Sequence, residues 1–200
     1  HPLHRGADLD RGDGRIERAR AVLLAVLLVG EIPAVGREAE HIDGGTVAGA
    51  ADNPFQVGLL TKSVANNFDA QFCGGTLYKA TYVVTAAHCS DFVNANQVQV
   101  LTGARRLDGS GARRDVTAIT IHPGWNSGTF DNDAAVWELA TAADGIALAA
   151  LATEDGPVGG DLLVTGWGAL TEGGGSPVDL FGVAVPLVDT GDCNDANSYN

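Results

Sequence analysis

From Ile42 onward, short runs of apolar and β-branched residues recur between turn signals. They are Phe55 to Leu60, Thr76 to Tyr78, Tyr82 to Thr85, Val98 to Thr102, Val116 to Ile121, Ala134 to Leu139, Leu162 to Thr165 and Leu180 to Val188. Val98-Gln99-Val100-Leu101 and Val116-Thr117-Ala118-Ile119-Thr120-Ile121 come nearest to strict alternation, the period that turns one strand face to a core and the other to solvent. Asn-Pro, Gly-Gly and Asp-Gly pairs punctuate the runs, no long stretch follows a 3.6-residue period, and no repeat of fixed length is present. The pattern predicts an all-β sandwich or barrel rather than alternating strands and helices.

Before Ile42 the pattern changes. Arg15, Arg18 and Arg20 precede the apolar run Ala21 to Val29, and the small residues Ala34 and Gly36 follow. A basic flank, an apolar run and a small-residue cleavage pattern read as a secretory signal. The run falls well short of the roughly 20 residues that a membrane-crossing helix needs. Residues 1–14 do not have the composition of a signal start. The expected division is a leader over 1–41, with a short pro-segment at its end, and one folded domain over 42–200.

Composition narrows the function classes. With 45% hydrophobic and 18% charged residues the chain can bury a core and does not read as disordered. A net charge of −13 argues against a nucleic-acid binder. Its only basic cluster is Arg105, Arg106, Arg113 and Arg114, which Asp108 and Asp115 offset and no aromatic residue interleaves, so it reads as a solvated loop of mixed charge. Three cysteines are expected to pair where they can in a secreted chain. Cys73 and Cys89, which flank a Gly-Gly turn and the run Tyr82 to Thr85, are the natural pair, and a bond between them is worth about 3 kcal/mol. Cys193 is then a free thiol, an intermolecular bridge or half of a bond to a cysteine outside this sequence. Metal binding is the weakest option, because no C-x-x-C or H-x-x-x-H spacing accompanies the three.

Six segments carry a family resemblance. They are Ile42-Asp43-Gly44-Gly45, Phe72-Cys73-Gly74-Gly75-Thr76-Leu77, Val83-Val84-Thr85-Ala86-Ala87-His88-Cys89, Asp131-Asn132-Asp133-Ala134-Ala135-Val136, Thr165-Gly166-Trp167-Gly168, and Val185-Pro186-Leu187-Val188 with Cys193. In this order and at this rough spacing they resemble the chymotrypsin and trypsin family of serine peptidases. The resemblance implies a double six-stranded antiparallel β-barrel, the first barrel complete and the second incomplete. It further implies a secreted, monomeric serine-type endopeptidase acting on protein or peptide substrates, with no cofactor, no nucleic acid and no membrane partner once the signal is removed. Val100 to Val116 lacks the paired acidic residues of a calcium loop, so no metal is expected.

On the residues alone, a histidine beside Cys89 is most simply a packed or partly exposed core histidine, and Asp133 a turn aspartate. Two small residues before His88 and a disulfide after it would, however, fix a tight turn of the kind a catalytic imidazole needs. The resemblance assigns His88 as general base and Asp133 as the carboxylate that orients it. Asp133 is preferred to Asp131 because it directly precedes the small and apolar strand residues. Ile42 is the implied activation N-terminus, although His41 before it and Asp43 after it depart from the family's pattern. None of Ser63, Ser90, Ser110, Ser127, Ser176 and Ser198 lies in a Gly-Asp-Ser-Gly-Gly segment. In the family that segment lies beyond the cysteine matched by Cys193, so the chain by itself is expected to be almost inert, with kcat down by about 10⁶. The alternatives are a non-catalytic homologue acting as a secreted binding protein and an unrelated secreted all-β binding module. Retention of both His88 and Asp133 favours the peptidase.

Overall fold

All eight apolar runs fold as strands in a computed structural model, which describes residues 46–47, 53–153, 156–171 and 174–193. The leader expected over 1–41 and the implied N-terminus Ile42 lie outside the described residues. The strands are β1 (Thr46–Val47), β2 (Gln56–Thr61), β3 (Gln71–Lys79), β4 (Tyr82–Thr85), β5 (Val98–Thr102), β6 (Ala112–Ile121), β7 (Ala135–Leu139), β8 (Asp161–Gly166) and β9 (Phe181–Pro186). Two helical turns, α1 (Asn67–Ala70) and α2 (Thr190–Cys193), complete the regular structure with a 3₁₀ turn at Ala95–Gln97. Cys193 ends α2; its side chain, like residues 194–200, is outside what is described.

Six strands close into an antiparallel barrel in the order β2-β3-β4-β7-β6-β5, and a separate three-stranded sheet runs β1-β9-β8. The first barrel is therefore complete, and the second is represented among the described residues by an open sheet. Alternation sorts the side chains. Val57 and Leu59 of β2, Val83 of β4, Val98 and Val100 of β5 and Trp137 and Leu139 of β7 fill the barrel interior. Leu60 and Leu101 face the other way, into a second cluster with Ala104, Leu107, Trp167 and Leu180 that joins the barrel to the second sheet. β2 is thus apolar on both faces because both are covered.

Two expectations need correction. Gly74-Gly75 does not turn; it lies within β3, with Gly75 opposite Val57 and Gly74 opposite Gly58. The glycine is a matter of space, since a Cβ at position 75 would sit 2.8 Å from Val83 Cγ1 and 3.1 Å from the Val84 carbonyl oxygen. Nor is the arginine cluster a free loop. Arg113 donates to Asn67 Oδ1 and to the carbonyls of Val64 and Ala65, each at 2.8 Å, holding the segment that leads into α1. Arg114 bonds Thr102 and Thr141. Arg106 pairs with Asp108 at 2.9 Å and with Asp179 at 2.6 Å, next to backbone bonds from Leu107 to Val178 and from Leu180 to Arg105. A charged strap thereby links the barrel to the segment that enters β9.

The strap has an acid limit. The Ser110 backbone amide above all, and the Arg106 guanidinium with it, hold the Asp108 carboxyl down at about 2 from an ordinary value of 3.8. A carboxylate depressed on folding contributes stability that is present above the unfolded value and lost as the pH falls through the folded one. Carboxyl ¹³C titration should place the Asp108 midpoint near 2; a midpoint at 3.8 would show that the loop leaves Asp108 unbonded in solution.

Candidate active site

The chain leaves the sheet at the end of β4. Thr85 is buried and donates to the Gly74 carbonyl at 2.7 Å, after which Ala86 and Ala87, both fully buried, enter a tight turn. Backbone bonds from Ser90 at 2.8 Å and Asp91 at 2.9 Å close that turn onto the Ala87 carbonyl. Full burial at both positions suits the small residues before His88, because a close-packed interior tolerates added volume poorly. The Cys73–Cys89 disulfide forms, with Cα atoms 6.2 Å apart, and ties the turn to β3.

Asp133 arrives from the other side, just before β7. The loop that delivers it holds Phe130 at φ 56° and Asn132 at φ 57°, in the left-handed region that residues with a Cβ rarely adopt. Asn132 is secured by donating to the Gly124 carbonyl at 2.8 Å. Asp133 then engages His88 twice. Its Oδ2 lies 2.6 Å from His88 Nδ1, and its Oδ1 accepts the His88 backbone N–H at 2.8 Å. Two contacts from one carboxylate fix both the position of the residue and the rotation of its ring. With the carboxylate on Nδ1, the neutral ring carries its proton there and Nε2 is the nitrogen left to accept one. The His88 side chain is 30% exposed, so the ring is held from behind yet open to a reactant.

Asp131, the neighbouring candidate, is engaged elsewhere: its Oδ2 accepts the Thr129 hydroxyl at 2.7 Å. Among the serines weighed as nucleophiles, Ser90 donates to the Ala86 carbonyl and accepts from Trp137, and Ser110 donates to the Arg106 carbonyl. The two cysteine sulfurs and a His88 nitrogen lie within 4.8 Å of one another, the donor set of a Cys₂His site. The sulfurs are bonded to each other, however, and zinc takes thiolates.

Sequence reasoning missed the aromatic surroundings. Phe130 stands 6.0 Å from the His88 ring, Trp125 packs edge-on against Phe130 at 5.6 Å, and Trp125 Nε1 donates to Asp91 Oδ2 at 2.9 Å. These residues bridge the histidine turn and the aspartate loop. Isolated aromatics in a turn-rich stretch carry no periodic signal that would reveal this.

Comparison with known proteins agrees with the geometry. The trypsin family model matches residues 42–200. Trypsin-1 of Astacus astacus is 32% identical over 163 residues, covering 77% of this chain and 68% of its own. Trypsin alpha of Drosophila erecta is 34% identical over 161 residues, covering 76% of this chain and 60% of its own. The solved VesB protease of Vibrio cholerae superposes with a TM-score of 0.67 at 33% identity, covering 74% of this chain and 45% of that structure. The chain thus spans well under the full length of the relatives it matches. With the segment order, the closed six-stranded barrel and these relatives in agreement, the chain belongs to the trypsin family.

Proposed function

We propose that this chain supplies the base and its orienting carboxylate to a secreted serine endopeptidase that cleaves protein or peptide substrates. The observation that carries the reading is the double engagement of His88 by Asp133, through ring and backbone at once. His88 Nε2 takes the proton of a serine hydroxyl as that oxygen attacks the peptide carbonyl, and later returns it to the leaving amine. Asp133 keeps the ring in the tautomer that leaves Nε2 free and stabilises the imidazolium formed in between. The nucleophile belongs to a Gly-Asp-Ser-Gly-Gly segment that the family resemblance places after Asn200. Residues 1–41 act as the leader that exports the chain, and the Ile42 amine, once freed, orders the site. The acidic balance suits a soluble extracellular monomer.

Expression from the coding region continued past Asn200 tests the reading. A fluorophosphonate probe should label a serine within a Gly-Asp-Ser-Gly-Gly segment of that product. A folded product, cleaved before Ile42, that lacks such a serine or carries one that stays unlabelled would instead identify a non-catalytic binding homologue.

A further inference from the structure

Ser90 is a buried hydroxyl two residues beyond His88 that the proposed chemistry does not use. It is 1% exposed and makes two bonds: its Oγ donates to the Ala86 carbonyl at 2.7 Å and accepts from Trp137 Nε1 at 2.9 Å. Trp137 is fully buried in β7, the strand that follows Asp133. One oxygen therefore links the turn carrying the histidine to the strand that the aspartate leads into.

The sheet alone cannot hold that relation. The β4–β7 ladder pairs Val83 with Trp137 and Thr85 with Ala135, and it ends there. From Ala86 onward the chain is outside the ladder. The disulfide anchors the turn to β3, which lies on the other side of β4 from β7. The next tie from the turn to β7 itself is Ser90 with Trp137. The approach of Asp133 is meanwhile set by a loop with two left-handed residues, a conformation that persists only while its surroundings hold it.

We infer that Ser90 and Trp137 form a positioning pair, which holds the His88 ring at bonding distance from Asp133 by tying the histidine turn to β7. The inference rests on the peptidase reading for the use made of the His88–Asp133 pair, but the geometry can be tested without catalysis. An indole whose N–H merely needs an acceptor would leave the histidine untouched when the bond is removed; a positioning pair would not.

The test replaces Trp137 in the full chain by benzothienylalanine, which keeps the ring shape and lacks the N–H, and compares it with Ser90→Ala and with both changes together. The readout is solvent exchange of the His88 Nδ1 proton in ¹⁵N-histidine-labelled protein. Each single change should speed that exchange about tenfold, the factor that loss of one buried hydrogen bond allows. The double change should add little to Ser90→Ala, because that change already removes the tie to Trp137 together with the bond to Ala86 inside the turn. Leu101→Ala, in the cluster on the far face of β5, should lower the melting midpoint and leave the exchange rate alone. The inference is overturned if both single changes leave exchange within about twofold of the parent, or if Leu101→Ala accelerates it as much as they do. Probe labelling of the longer product decides the peptidase reading separately, whichever way the proton responds.

Discussion

Replacing His88 by Ala is expected to lower kcat by about 10⁶ in a product that carries the nucleophilic serine, whereas Asp133→Asn should cost about 10⁴. The two numbers differ for a physical reason. Without the imidazole the serine hydroxyl has no base, and what remains is substrate binding and oxyanion stabilisation. With Asn at 133 the base survives, but its tautomer is wrong: an amide N–H facing Nδ1 drives the ring proton onto Nε2, where it blocks proton acceptance. Steady-state hydrolysis of a peptide anilide measures both. Neither change should unfold the protein, since the two side chains are only partly buried, at 30% and 22% exposure, and neither belongs to the barrel core. If His88→Ala loses less than about 10²-fold while circular dichroism is unchanged, another group is the base.

The largest effect on stability is expected at Trp137. It is among the largest fully buried side chains, it packs among Val57, Leu77, Val83, Val100 and Leu139, and its N–H satisfies Ser90. Trp137→Ala should destabilise the fold by about 3–5 kcal/mol, from lost burial and the cavity left behind. The total stability of a domain is about 5–15 kcal/mol, so the variant should lie close to its limit at room temperature. Urea denaturation followed by circular dichroism reads the change directly. A loss below about 1 kcal/mol would mean that the barrel collapses around the gap, and that the core is looser than its packing indicates.

The strands were legible because their signal is local. β4 and β5 fold over the same residues that their apolar runs mark, since β-branched and apolar side chains in a short run suit a pleated, covered surface. β3 and β6 run longer than expected, beginning at Gln71 and Ala112. The early residues of β6 are mostly polar and join the barrel through cross-strand partners, such as Asp115 opposite Gln99 and Ala112 opposite Thr102. Only the partner strand makes those residues extended. β1, two residues long, exists because β9 pairs with it.

The candidate site divides in the same way. His88, Asp133 and the cysteines could be picked from residue type, spacing and family resemblance. What the tertiary structure decided is which groups meet: Asp133 at His88 while Asp131 turns to Thr129, Ser90 at Trp137, Arg106 at Asp179, and Thr165 at Gln56 across 109 residues of chain. Sequence pattern reports a residue's own conformational preference and the face it shares with near neighbours. A side-chain hydrogen bond depends on two backbones being brought together by a third body, here the closed barrel, and no stretch of sequence contains that information by itself.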